Sequence, residues 1–262
     1  MRVGVFGAGG RMGATVCRAL LDAADLELVA AVDPERAGMR LDQLGVAGSD
    51  LAVAAGPEAM ETAGIDVAVD FTVLDAAREN LTWCADHSVH AVVGTTGFDA
   101  RDLDAFRNAF AQSQAHAIIA PNFAIGAVLA MRFAELAAPY FETAEVIEYH
   151  HDAKADAPSG TAMLTVERMA AASREWADDP TRTTVVEGAR GGVGPAGIRV
   201  HAVRMRGVVA NQEVILGTTG QTLTIRHDTT DRTSFMPGVL LAVRAVPDRP
   251  GLTIGLDALL DL

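Results

Sequence analysis

MRVGVFGAGGRMG, residues 1–13, is the stretch on which the fold turns. Arg2 to Phe6 has the short, almost continuously apolar pattern of a buried strand, and Gly7 breaks it. From Arg11 to Ala23 the spacing becomes helical, with Met12, Val16, Ala19 and Leu20 on one face. The turn between them carries glycines at 7, 9, 10 and 13. Glycines at those places allow a tight turn, close approach of backbone to a pyrophosphate and close packing of helix on strand. The N–H groups that open the helix then face the phosphates. Such a string is weak alone, because glycine is common in loops. Here it sits between a strand and a helix. A second apolar strand, Leu26 to Val32, ends at Asp33, twenty residues beyond Gly13. An acid at that point accepts hydrogen bonds from an adenosine ribose. The competing reading of Asp33 as a simple turn cap explains less. A dinucleotide-binding domain is expected, with Gly7, Ala8, Gly9, Gly10, Arg11, Met12 and Asp33 around the cofactor.

Further apolar strands follow at Val67 to Phe71, Ala91 to Val93 and Ala117 to Ala120. Helical stretches lie between them around Asp75 to Asp86 and Asp99 to Ala111, and Leu51 to Ala55 is a candidate further strand. Apolar strands alternating with helices predict an α/β architecture, a doubly wound parallel sheet covered on both faces. Three strand ends are rich in small or polar residues, and ligands of such sheets bind beyond the carboxyl ends of the strands. Phe71, Thr72, Gly94, Thr95, Thr96, Pro121, Asn122 and Phe123 are therefore expected at the nicotinamide end. A carboxylate at Asp33 favours NADH, since a 2′-phosphate meets like charge. Arg11 and Arg36 offset such a phosphate, so use of both NADH and NADPH is expected.

The 262 residues are half hydrophobic and about a fifth charged, as in ordinary globular chains. A net charge of -13 argues against non-specific binding to nucleic acid or to an anionic membrane. Cys17 and Cys84 lack a CxxC pattern and read as buried hydrophobes in a reducing compartment. Met1 runs directly into an apolar strand and no apolar run approaches membrane-spanning length, so a cytoplasmic protein is expected.

The second half has a different pattern. Ile125 to Tyr140 reads as a helix leading out of the first domain, and Ser159 to Ala177 as one helix with Ser159 as N-cap. Alternation at Ile198 to Met205, Gln212 to Leu216 and Thr222 to Arg226 predicts a largely antiparallel or mixed sheet. Gly188 to Gly197 reads as a loop, Pro237 to Val246 as a helix, and the apolar tail is expected to return to the first domain. The domains are placed at 1–123 plus 233–262 and at 124–232. A sheet with one helix layer leaves a face to be covered, which predicts a homo-oligomer.

Within this half, EYHHDAKADAPSGTA, Glu148 to Ala162, holds the only lysine of the chain, Lys154. The other basic side chains counted with it are arginines, so a lone lysine marks a site that needs a compact ammonium rather than a planar fork. Adjacent His150 and His151 point to opposite faces of a strand and lack the spacing of a metal pair, so zinc is not expected. Lys154 and the N–H groups of the Ser159-Gly160-Thr161 turn suit an anion, and a histidine beside them suits an acid near neutral pH. Together with a nicotinamide they suggest reduction of a small carboxylate-bearing compound. An amino-acid or sugar dehydrogenase and a non-enzymatic redox sensor are the rival readings; in the first the HHxxK stretch is incidental, and the second needs no acid or anion site.

That stretch resembles the E-x-H-H-x-x-K-x-D-x-P-S-G-T-A signature of the dihydrodipicolinate reductase family, and GAGGRMG, DFT, GTTGF and Pro-Asn-Phe resemble its cofactor motifs in the same order. The resemblance spans essentially the whole chain. It implies a Rossmann-like domain plus a mixed-sheet domain that binds substrate and builds a homotetramer. It also implies His150 as general acid, with Lys154, His151 and the Gly160-Thr161 backbone holding a dicarboxylate substrate, and Arg232 as a weaker candidate for the same anion. Closure of the two domains on the substrate is expected.

Overall fold

In the computed structural model, which describes residues 1–260, β1 (Arg2–Phe6) runs into the glycine turn and α1 (Arg11–Asp22) leaves it. Val3 to Phe6 are all buried, which fits a central strand with helices on both faces. β2 (Glu27–Val32), α2 (Glu58–Ala63), β3 (Val67–Asp70), α3 (Leu74–Asp86), β4 (His90–Val93), α4 (Ala100–Gln112) and β5 (Ala117–Ile119) follow. Asp99 caps α4, its carboxylate accepting from the Arg101 and Asp102 amides. Phe6, Met60, Leu81, Phe106 and Phe110 belong to one buried cluster of this unit, each worth about 1.5–3 kcal/mol of burial. Leu51 to Ala55 makes only isolated bridges, Val32 with Ala54 and Arg40 with Ala52. Gly56 and Pro57 end the pairing before a strand can form.

The second unit starts with α5 (Ile125–Ala137), extended by a 3-10 turn to Tyr140, and continues through β6 (Thr143–His150) and α6 (Gly160–Ala172). β7 (Gly192–Val193), β8 (Arg199–Arg204), β9 (Ala210–Thr218) and β10 (Gln221–Thr229) complete a mixed sheet ordered β10-β9-β6-β8-β7. β6 pairs parallel to β8 and antiparallel to β9. Val146, Val166, Met169, Val200, Val214 and Leu216 form its core with α6. The alternate residues Ile147, Tyr149 and Ile215 are half-buried.

Two expectations fail here for local reasons. α6 stops five residues short of Ala177, because Ser173 turns extended and its hydroxyl accepts from Glu175 N–H. Trp176 then donates to the Ser173 carbonyl and Ala177 N–H donates to Glu142. Gly188 to Gly197 contains the edge strand β7 rather than only a loop. Gly191 permits it: its φ is +65°, and a Cβ there would lie 2.5 Å from the Val200 carbonyl.

The chain then returns through α7 (Met236–Ala245) to β11 (Leu252–Ile254), which pairs parallel with β5. The first sheet is thus six parallel strands ordered β11-β5-β4-β3-β1-β2. The two units comprise Met1–Phe123 with Phe235–Leu262, and Ala124–Ser234. The last two residues of the segment expected at 233–262 lie outside the described residues.

Candidate active site

The first sheet reverses its winding between β1 and β3, so the crevice beyond those strand ends is the binding position for this topology. Gly7 sits there with φ +69°, and a Cβ on it would stand 3.1 Å from the Thr72 methyl. Gly13 packs α1 onto the turn so closely that a Cβ would fall 2.0 Å from the Gly7 carbonyl. Gly10 caps α1 without any side-chain acceptor, so the opening turn offers its amides to an anion. The Asp33 carboxylate accepts from Gly9 N–H at 3.0 Å and from Glu35 N–H at 3.1 Å. One oxygen therefore ties the glycine turn to the end of β2, and the other caps the following turn. A Cβ on Gly9 would meet Arg36 Cγ at 2.4 Å, so the arginine stem lies over the turn beside Asp33. Arg11 is exposed at the start of α1.

The strand tips are organised by a carboxylate that the motif reading passed over. Asp70 is buried and accepts from Thr72 N–H (2.8 Å), Thr72 Oγ1 (2.7 Å), Thr95 Oγ1 (3.2 Å) and Asn80 Nδ2 (2.7 Å). It joins the ends of β3 and β4 with α3. Thr95 also donates to the Thr72 carbonyl at 2.9 Å. Both threonines are committed to the scaffold, while Thr96 is exposed. Gly94 is required because a Cβ would enter the Phe71 ring, 2.0 Å away. A cavity of ≈ 290 Å³ opens between Met12, Phe71, Gly94, Pro121, Asn122, Phe123 and Phe235. Its mostly aromatic and apolar lining suits one face of a flat ring. The glycine cradle, the uncapped helix and this cavity fit a nicotinamide dinucleotide.

In the second unit His150, Ser159 and Arg204 meet at one buried carboxylate, that of Glu148. Glu148 is fully buried on β6 and accepts four hydrogen bonds. Arg204 of β8 donates to both its oxygens at 2.8 Å, Ser159 N–H donates at 3.1 Å, and His150 Nδ1 lies 2.5 Å away. Burial alone raises the Glu148 pKa, but Arg204 and His150 outweigh it, and the carboxyl stays below its ordinary value. Since that carboxylate can only accept, His150 Nδ1 is the donor. His150 is itself held below its ordinary value, by burial first and then by Lys154 and Arg204 against the opposing pull of Glu148. At neutral pH the free protein holds this ring neutral.

Lys154 lies just after β6 in a turn closed by its own N–H onto the His151 carbonyl. Its Nζ donates to both oxygens of Asp156 at 2.7 and 2.8 Å and holds that carboxyl below the usual range. Ser159 caps α6 as expected, its hydroxyl accepting from Ala162 N–H. Gly160 is exposed at the first helical position, and a Cβ there would touch nothing within 4 Å. His151 is half-buried. Arg232 opens a short 3-10 turn well along the chain, half-buried, and its guanidinium has no partner among the described residues. Arg204 was missed because its signal is not local: only the β6–β8 register, which pairs His150 with Arg204, brings it here. Glu148 stood inside the quoted stretch, but burial alone reveals its role.

Among the described residues no group of three histidines, cysteines or acids could hold a metal ion, and no helix is long and apolar enough to cross a membrane. Burial pushes the Cys17 thiol up to about 12 and raises that of Cys84 as well. Two family models match the chain, "Dihydrodipicolinate reductase, N-terminus" over residues 1–123 and "Dihydrodipicolinate reductase, C-terminus" over 126–260. The 4-hydroxy-tetrahydrodipicolinate reductase of Nocardia farcinica is 52% identical, with 100% of this chain and 99% of the relative covered. That of Cutibacterium acnes is 48% identical at the same coverage. A solved dipicolinate-bound dihydrodipicolinate reductase from Paenisporosarcina sp. TG-14 is 37% identical and superimposes with a TM-score of 0.86 over 98% of each chain. With its parallel nucleotide-binding sheet, its mixed second sheet and these relatives, the chain belongs to the dihydrodipicolinate reductase family of pyridine-nucleotide-dependent oxidoreductases.

Proposed function

We propose that this chain reduces 4-hydroxy-tetrahydrodipicolinate to tetrahydrodipicolinate, in lysine and diaminopimelate biosynthesis, with His150 as general acid. Replacing the hydroxyl by hydrogen takes one hydride and one proton and releases one water. A reduced nicotinamide bound beyond β1 and β3 supplies the hydride. Gly7, Ala8, Gly9, Gly10, Arg11 and Met12 would hold its phosphates, Asp33 its adenosine ribose, and Phe71, Thr72, Gly94, Thr95, Thr96, Pro121, Asn122 and Phe123 its ring end. Lys154, His151 and the Gly160-Thr161 backbone hold the substrate carboxylates, with Arg232 as a further cation. A bound dicarboxylate places two negative charges beside a ring that burial first, and then Lys154 and Arg204, depress. Its arrival draws a proton onto His150, so the acid is charged when it is needed.

The observation that carries this reading is that Glu148 holds both the His150 ring and the Ser159 amide at the opening of α6, with Lys154 near enough for its charge to act on that ring. The dipicolinate in the Paenisporosarcina relative, itself a flat dicarboxylate, supports the substrate class. The test is oxidation of NADH or NADPH with synthase-generated substrate. His150→Gln should lower kcat by about 10²–10⁴-fold with little change in KM. Near-normal turnover would remove His150 from the mechanism.

Use of both cofactors is part of the proposal. Asp33 accepts two backbone hydrogen bonds and still has lone pairs for a ribose hydroxyl, while Arg36 lies beside it for a phosphate. A strict preference for NADPH in steady-state kinetics would sink this part. A homotetramer in the cytoplasm, formed through the face bearing Ile147, Tyr149 and Ile215, completes the proposal, and a monomer by light scattering at micromolar concentration would refute the assembly.

A further inference from the structure

Glu148 is not among the residues proposed to hold substrate, yet it is fully buried beside His150 with both oxygens engaged. Its four hydrogen bonds come from three residues on three elements: His150 on its own strand β6, Arg204 on β8, which gives two, and Ser159 at the start of α6. Arg204 Nη2 also donates to the Asp156 carbonyl at 2.5 Å, in the turn that carries Lys154. A fully buried carboxylate with both oxygens occupied in this way has one orientation. The ring nitrogen it meets is Nδ1.

We propose that Glu148, clamped by Arg204, is a positioning residue for the reaction: it fixes His150 in the Nδ1–H tautomer and leaves Nε2 as the nitrogen that takes and gives up the proton. This rests on the preceding assignment of His150 as the acid. Imidazole tautomers are set by the partner of the other nitrogen, and a carboxylate on Nδ1–H also stabilises the imidazolium. Unpaired, the ring would populate both tautomers, and a proton on Nε2 of the neutral ring could not be replaced by one arriving there. The charged groups acting on this ring are Glu148 from β6, Arg204 from β8 and Lys154 from the following turn. Glu148 is the one anion among them. The rival role is purely structural, a carboxylate that only neutralises Arg204 and anchors the entry to α6.

The first measurement needs no variant. Long-range proton–nitrogen spectra of the wild-type histidine rings, with the His150 signals assigned by their loss in His150→Gln, should show Nδ1 protonated and Nε2 bare at neutral pH. The opposite tautomer, or a mixture, would overturn the proposal even if no Glu148 variant folds. Glu148→Gln removes the anion at constant size. It should lower kcat by about tenfold to 10⁴-fold while KM for substrate stays within about threefold. The limb of the pH profile that reports His150 should move to lower pH by roughly one unit or more. In a His150→Gln background the same change should cost nothing further, because its action passes through the ring. An unshifted pH limb, or an equal loss in both backgrounds, would assign Glu148 the structural role. Full activity of His150→Gln alone would instead defeat the acid assignment and leave the tautomer result standing.

Discussion

Gly160→Ala separates folding from binding at one position. Gly160 is the first residue of α6, exposed, and a Cβ added there meets no atom within 4 Å. Its φ is not in the left-handed region, so nothing in the backbone requires glycine. Alanine is the better helix former by about 0.5–1 kcal/mol in a helix interior, and about the lower value applies in a first turn. For a chain of this size that corresponds to a Tm higher by roughly 1–2 °C. Binding should move the other way. If a substrate carboxylate rests against the Gly160 amide, the methyl group displaces it and removes one charge-assisted hydrogen bond, about 1.5–3 kcal/mol. KM should then rise about 10- to 150-fold, with kcat nearly unchanged because ground state and transition state lose the contact equally. Differential scanning calorimetry and steady-state kinetics on the same preparation give both numbers. A raised Tm with KM within about twofold would show that the carboxylate is not seated at this amide. A lowered Tm would refute the premise that the position is open.

Gly13→Ala should behave in the opposite way. The Gly7 carbonyl 2.0 Å from the added Cβ cannot move without the turn. A loss of about 1–3 kcal/mol by urea unfolding is expected, together with weaker NADH binding. Lys154→Arg keeps the charge but replaces a point donor that meets both Asp156 oxygens. It should lower kcat/KM about tenfold or more, and full activity would mean that charge alone suffices. Acid should also weaken the fold through its histidines. His90, His150 and His227 sit below their ordinary value, with burial the leading cause in each. The unfolded chain therefore binds more protons in the window from about pH 6.5 down to the folded values, and stability falls as pH drops through it. His90 Nδ1 accepts from His116 N–H at 3.0 Å, a bond that a proton on Nδ1 would break. His90→Asn should keep the acceptor and flatten part of the slope in urea titrations between pH 7.5 and 5.5.

The first domain was legible because its information is local. A glycine turn, an apolar strand and an acid at the end of the next strand are read from contiguous residues; the short apolar tail was expected only to return to the first domain, and the structure makes it a sixth strand, β11. The failures lie in hydrogen-bond partners that periodicity does not carry, some a few residues away and some distant. α6 ends at Ala172 because Ser173, Trp176 and Ala177 find partners outside the helix, which periodicity does not register. Leu51 to Ala55 is apolar enough for a strand but has β2 as a neighbour for only one bridge. In the site, His150, Lys154 and Ser159 lie within ten residues and were found together. Arg204 lies 56 residues from Glu148 and becomes visible only through sheet register. Asp70 looked like the first letter of a strand tip, and only its four donors reveal it as the post on which two tips hang.

The solitary lysine also makes the protein chemically addressable. The chain carries a single side-chain amine, and it sits within the proposed substrate clamp, partly exposed and paired with Asp156. Amine-directed reagents therefore find one side-chain target per chain, with no background of surface lysines to dilute the signal. Reductive methylation with a carbon-13 label keeps the charge and would install one side-chain resonance, beside that of the N-terminal amine, that reports each anion entering the site. Acetylation removes the charge and would inactivate with a stoichiometry of one. Protection from either reagent by a dicarboxylate becomes a titration of binding that needs neither turnover nor cofactor.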